Sequence, residues 1–349
     1  MANGGTERSR TRAIERAVEA IAGDACALRW ADLEAPGYGR RRRGRGFSWH
    51  LPDGGRLDDA VAVERCRALA VPPAWSGVWV CTDEHGHIQC TGVDARGRKQ
   101  YRYHALWREI RNREKFDGLV EFGAALRRIR EAGDAAMAGP RHDKSRVVAA
   151  AVRLIDSGLV RVGNSAYARD NGTYGATTLG ERHAEVRGDS VALDFRGKSG
   201  RRREIDIEDP ALARSLRYCQ ELPGQRLFRY RGADGEVYSV DSGDVNAWLR
   251  EATGEPFTAK DFRTWGGTVA AWQHADAHRG DGLDRPDAKA IGHAAATLGN
   301  TVAVARKFYV HPALVEAVAA GEVPPRARRA RARLDVSETS VLRFLESLG

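Results

Sequence analysis

The sequence predicts an α+β protein: a small β-rich N-terminal domain followed by a larger, mainly α-helical one. Three observations lead there. From Leu28 to about Tyr103, short runs of strand-like residues are punctuated by turn dipeptides. From Trp107 onward, apolar residues recur at helical spacing over long segments. Within that helical part, three short runs at 184–186, 191–195 and 203–207 read as strands. The expected domains are a flexible extension with a short helix over 1–24, a β-rich domain over 25–103, a helical domain over 104–322 and a basic tail with a short helix over 323–349.

The elements follow in order. Residues 1–10 are rich in Gly, Ser and Arg, a composition that buries little apolar surface and predicts disorder. Ile14, Val18 and Ile21 share a face of a short helix over 12–22. Asp53-Gly54-Gly55 is a hairpin-type turn, and residues 58–70 read as a helix between strand-like runs. Residues 40–46, Arg-Arg-Arg-Arg-Gly-Arg-Gly, read as a basic loop. In the second domain, Leu119, Phe122, Leu126 and Ile129 mark one helix, and Val147, Ala150, Ala151, Leu154 and Ile155 another. Residues 164–179 read as an irregular polar loop, and Lys198 sits in the turn Gly197-Lys198-Ser199-Gly200 between two strands. Helices are expected over 211–220, 245–252, from Thr258 through Trp272, over 287–298 and over 336–348, and residues 313–320 close the second domain.

With 349 residues and 42% hydrophobic content, the chain can build a sizeable core. A formal net charge of +9 favours a polyanionic partner, nucleic acid first. The five cysteines are odd in number and contain no CxxC pair, which argues against a disulfide framework and a zinc site and for a reducing intracellular compartment. No apolar run is long enough to span a membrane, and the first twelve residues lack the apolar stretch of a signal peptide.

Chemistry-bearing residues gather in six places. Tyr309 follows Arg306 and Lys307 and stands nine positions after Asn300. Upstream lie Arg161 in Leu-Val-Arg-Val-Gly, Lys198 at its turn, and Lys260 and Arg263 in Ala-Lys-Asp-Phe-Arg-Thr-Trp-Gly-Gly. A tyrosine attacks phosphorus well only where cations neutralise the phosphate oxygens and hold the ester in line. A further run, Arg98-Lys99-Gln100-Tyr101-Arg102-Tyr103, mixes cations, an amide and aromatics, the residue types that read bases and hold phosphates. Arg41 and Arg42 add phosphate-binding cations whose contacts release counterions.

The order Arg161, Lys198, Arg263, Asn300, Tyr309 resembles the type IB DNA topoisomerases of the small poxvirus and bacterial branch, over roughly residues 25–320. The resemblance implies a bilobed clamp, its larger lobe having the tyrosine recombinase/type IB topoisomerase fold. It implies a monomer closing around double-stranded DNA, cytoplasmic and nucleoid-associated, with no cofactor and no metal. It assigns Tyr309 as nucleophile, Lys198 as general acid with Lys260 assisting, and Arg161, Arg263 and Asn300 as ligands of the nonbridging oxygens. Gln100, Tyr101 and Tyr103, with Arg98, Lys99 and Tyr167, would contact DNA. Some members carry His where this chain has Asn300, so no imidazole-like titration is expected there. The tyrosine site-specific recombinases share the chemistry and are the alternative. They usually carry His three residues before the second Arg, where this chain has Lys260, and a helical rather than β-rich first domain.

Overall fold

The computed structural model describes residues 28–348, and of residues 108–109, 111–114, 166 and 167 the backbone alone. The expected extension over 1–24 lies outside the described residues. The chain divides into two compact units, one running to Lys115 and the other from Phe116.

The first unit is a five-stranded antiparallel sheet in the order β2-β1-β3-β4-β5. Its strands are β1 (Tyr38–Arg43), β2 (Gly46–His50), β3 (Ser76–Val80), β4 (Ile88–Val93) and β5 (Lys99–Tyr103), with α1 (Ala60–Ala68) between β2 and β3. Trp49, Leu57, Ala62, Cys66, Val78, Val80 and Cys90 form its core. The arginine run corrects the sequence reading. It is no loop but strand β1, turning at Gly44-Arg45 into β2, with Arg41 opposite Ser48 and Arg42 opposite Phe47. Arg40 explains the difference. It points inward and donates to the carbonyls of Val71, Pro72 and Trp75 at 2.8, 3.0 and 2.7 Å, while Arg41, Arg42 and Arg43 stay exposed.

The first unit ends within α2 (Ala105–Asp117), and the second continues with α3 (Leu119–Met137) and α4 (Lys144–Gly158). The helical spacing of Leu119, Phe122, Leu126 and Ile129 places them on the buried face of α3. Asp143 caps α4 by accepting from the Ser145 N–H at 2.8 Å. Part of the expected 164–179 loop is helical, as α5 (Ser165–Asn171) and a short 3₁₀ turn. The expected strands form a three-stranded antiparallel sheet of β6 (Ala184–Arg187), β7 (Ser190–Arg196) and β8 (Arg202–Glu208). There follow α6 (Pro210–Gln220), β9 (Arg229–Arg231), β10 (Val237–Ser239), α7 (Ser242–Thr253), α8 (Ala259–Ala277), α9 (Pro286–Leu298), α10 (Val302–Phe308), α11 (Pro312–Ala319) and α12 (Val336–Glu346). The two-strand ribbon β9–β10 was not expected from the sequence. No described helix is long and apolar enough to cross a membrane.

Helix α12 is sewn into the second unit. Val341, Leu342 and Leu345 are buried in its core. Glu338 accepts from both Nη atoms of Arg130 at 2.8 Å and from Trp265 Nε1 at 3.2 Å, while Asp156 holds the rest of the Arg130 fork. Burial pushes the Glu338 carboxyl up, but the hydrogen bonds and charge of Arg130 more than offset this and leave it below the usual carboxylate range. We therefore expect Glu338→Ala to cost about 1–3 kcal/mol, because it removes two charge-assisted hydrogen bonds and leaves Arg130 to Asp156 and the Arg333 carbonyl. The folded carboxyl titrates below the unfolded one. Its stabilisation is thus complete above the ordinary carboxylate range and is lost as pH falls through the folded pKa. Urea unfolding at neutral and acid pH checks both statements: a wild-type advantage over Glu338→Ala that did not shrink in acid would contradict them.

Candidate active site

Helix α8 is the floor on which the Tyr309 segment rests. Adding a Cβ at Gly267 would place it 2.6 Å from the Tyr309 carbonyl oxygen, so only glycine lets the two backbones approach this closely. One turn position further, the buried Thr268 hydroxyl accepts from the His311 N–H at 3.1 Å and lies 3.4 Å from the Tyr309 carbonyl. The backbone is thus held on both sides of Tyr309, at the end of α10. His311 also caps α11, its Nδ1 accepting from the Ala313 N–H at 3.2 Å. Burial pushes the His311 imidazole down to about 4, so it is neutral there at ordinary pH.

Arg263, on the same face of α8, is 3% exposed. Its Nη1 donates to the Leu159 carbonyl and its Nη2 to the Leu298 carbonyl at 2.9 Å. Its guanidinium carbon lies 5.2 Å from the centre of the Tyr309 ring. Leu159 ends α4 in the left-handed region (φ 48), which turns the chain so that Arg161 follows at the site. Arg161 Nη2 donates to Asn300 Oδ1. That bond fixes the amide with Nδ2 as its free end, and Asn300 Nδ2 is buried without a partner, as is Arg263 Nε.

Asn300 is placed by the end of α9. Gly299 adopts φ 61 and donates to the Ala296 carbonyl at 3.0 Å, and Asn300 N–H donates to the Ala295 carbonyl at 2.8 Å, the two bonds of a Schellman cap. Tyr309, Arg161, Arg263 and Asn300, read from the sequence as one set, are therefore in one place.

The electrostatics are those of a site suited to an anion. Desolvation, then the charge of Arg161, push the Arg263 guanidinium down to about 10 against the pull of Tyr309. Burial lowers Arg161 as well. Arg203 is lowered by burial and by Arg161. None of the three arginines has a carboxylate partner among the described residues. Desolvated like charges of this kind raise the energy of the folded protein until an anion arrives. Arg203, Thr268 and His311 were missed by sequence reasoning. The signal for Arg203 was present, since it continues the inward-facing register of Ile205 and Ile207.

Lys198 and Lys260 are both exposed, Lys198 at the tip of the β7–β8 hairpin and Lys260 in the first turn of α8. Neither makes a hydrogen bond or ion pair with the other four among the described residues. In the first unit, Lys99, Tyr101 and Tyr103 share the exposed face of β5, with the two tyrosine rings stacked at 6.1 Å. Arg98 and Gln100 instead donate to Asp94 at 2.9 Å each, and Arg98 above all holds that carboxyl down at about 2. The Tyr167 side chain lies outside the described residues.

Two family models match the chain. Residues 104–316 match the catalytic core of eukaryotic DNA topoisomerase I, and residues 46–94 the N-terminal domain of bacterial DNA topoisomerase IB. The chain is 32% identical over 237 residues to DNA topoisomerase 1B of Acanthamoeba polyphaga mimivirus, covering 67% of this chain and 70% of that protein. It is 24% identical over 223 residues to DNA topoisomerase 1 of Mycosarcoma maydis, covering 57% of this chain and 22% of that one.

Proposed function

The chain belongs to the type IB DNA topoisomerases, and from that premise we propose that it relaxes supercoiled duplex DNA through a 3′-phosphotyrosine at Tyr309, without ATP or metal. The observation that carries the reading is the buried arginine cluster with unpaired donors, set against the one tyrosine that the α8 floor holds in place.

In the reaction, Tyr309 Oη attacks phosphorus and gives up its proton to solvent water, and the bond to the 5′-oxygen breaks. The leaving alkoxide takes a proton from Lys198, with Lys260 assisting. Arg161 and Arg263 bear on the nonbridging oxygens as charge-assisted donors, and Asn300 Nδ2 adds a neutral one. The phosphotyrosine keeps the ester bond energy, so the 5′-hydroxyl can reverse the step once the free end has turned. Lys198 reaches the leaving oxygen from its hairpin tip when DNA is bound.

The two units form a bilobed clamp closing around the duplex as a monomer, and the second unit has the catalytic fold shared with tyrosine recombinases. As domain limits we propose 25–103 for the DNA-gripping lobe and 104–322 for the catalytic one. Lys99, Tyr101 and Tyr103 meet DNA from the open face of β5, and Arg41 and Arg42 meet phosphates from β1. Arg98 and Gln100 act from their anchorage on Asp94, and Tyr167 contacts the backbone.

Relaxation of supercoiled plasmid in EDTA without ATP tests the reading. The expected result is relaxed topoisomers and, on denaturation, protein bound to the 3′ side of the nick. Strand exchange between paired sites without relaxation would indicate a recombinase instead. DNA binding with neither activity would leave a binding module and remove the assigned roles.

A further inference from the structure

The carboxyl end of α9 exposes carbonyls that no residue of the helix can satisfy. Two arginines take carbonyls of its last turn, and a third takes the carbonyl of Asn300 just beyond. Arg203 Nη1 donates to the Thr297 carbonyl at 2.9 Å, Arg263 Nη2 to the Leu298 carbonyl at 2.9 Å, and Arg201 Nη1 to the Asn300 carbonyl at 2.9 Å. The negative end of the helix dipole favours cations at this position. It offsets part of the repulsion of gathering guanidinium groups beside a phosphate site.

Two of the three come from one hairpin, Arg203 from β8 and Arg201 from the residue just before it. Along β8 the side chains alternate, so Arg202 faces outward to Asp194, while Arg203, Ile205 and Ile207 face the helical core. Arg203 is held close: a Cβ on Gly299 would lie 2.5 Å from its Nη1. The hairpin that carries Lys198 is therefore fastened, through Arg203 and Arg201, to the peptide units flanking Asn300.

We propose that Arg203, seconded by Arg201, is a positioning residue of the cleavage reaction: it locks the β7–β8 hairpin onto the end of α9 and so aims the Asn300 amide at the phosphate. The inference rests on the proposed role of Asn300. Arg203 already donates to Thr297, and its effect on the reaction passes through the backbone that presents Asn300.

The test is single-turnover cleavage of a nick-trapping duplex by the full chain, with DNA affinity and thermal unfolding measured on the same variants. Arg203→Ala is expected to slow cleavage about 10- to 100-fold with affinity and unfolding temperature nearly unchanged. Arg203→Lys, which keeps one donor for the Thr297 carbonyl, should recover part of the rate. In an Asn300→Ala background, Arg203→Ala should cost less than about 3-fold, because the group it positions is gone.

An unchanged rate in folded Arg203→Ala would overturn the proposal. So would the same full loss in both backgrounds, which would mean direct phosphate contact. Should Arg203→Ala fail to fold, the exposed Arg201→Ala carries the same expectations. Cleavage by Tyr309→Phe at the wild-type rate would overturn the reading of the site itself, separately from the role of Arg203.

Discussion

Tyr309→Phe is expected to eliminate plasmid relaxation and the covalent adduct, a loss of about 10⁴-fold or more, because no other group would replace the nucleophilic oxygen. The substitution is conservative everywhere else. The ring stays against the Arg263 guanidinium, 5.2 Å from its carbon, and the backbone stays bracketed by Gly267 and Thr268. Folding and duplex binding should thus survive, which separates loss of chemistry from loss of structure. Denaturing gels of a 5′-labelled strand, whose label stays with the fragment bonded to the protein, provide the readout. An adduct of undiminished yield would mean that another residue attacks, and the reading of the α10 segment would be wrong.

The second large effect concerns the arginines. Arg263→Ala and Arg161→Ala should each slow cleavage about 10²–10³-fold, the usual cost of one preorganised donor to a developing charge. Arg263→Lys should restore little. The native fork spans the Leu159 and Leu298 carbonyls and keeps Nε pointing into a buried, unpaired position, and an ammonium cannot occupy all three places. Arg161 and Asn300 should behave as one unit, since the guanidinium holds the amide by Oδ1. Their double alanine variant should be little worse than Arg161→Ala alone. Single-turnover cleavage rates of the four proteins decide this: full additivity of the two losses would show that the two residues act independently.

Much of this site could be read from sequence because its parts lie on long, strongly periodic elements or at their caps. Gly299 and Asn300 announce a helix end, Thr258 a helix start, and Tyr309 follows at a fixed interval. Tertiary choices were not legible. Whether Arg40 faces solvent or the Val71–Trp75 turn depends on which neighbours the sheet supplies. The three-residue strands β9 and β10 are too short to show a period. Arg203 looked like one cation in the run Arg201-Arg202-Arg203, and only the pairing of β7 with β8 separates the inward arginines from the outward one. The docking of α12 depends on Glu338 meeting Arg130, a partner 208 residues away.

That last contact has a kinetic consequence. A pair so distant in sequence closes a very large loop, and such contacts form late on the way to the native state. Interactions absent from the folding transition state govern how fast a protein comes apart, with little influence on how fast it assembles. A protein that carries a cut DNA strand on its own side chain is exposed during the interval before resealing. Unfolding within that interval would leave the break in place. For such a molecule the lifetime of the folded state matters more than the depth of its free-energy well. If Tyr309 holds the strand as proposed, Glu338→Ala, which breaks the Arg130–Glu338–Trp265 junction, is expected to shorten that lifetime by speeding unfolding.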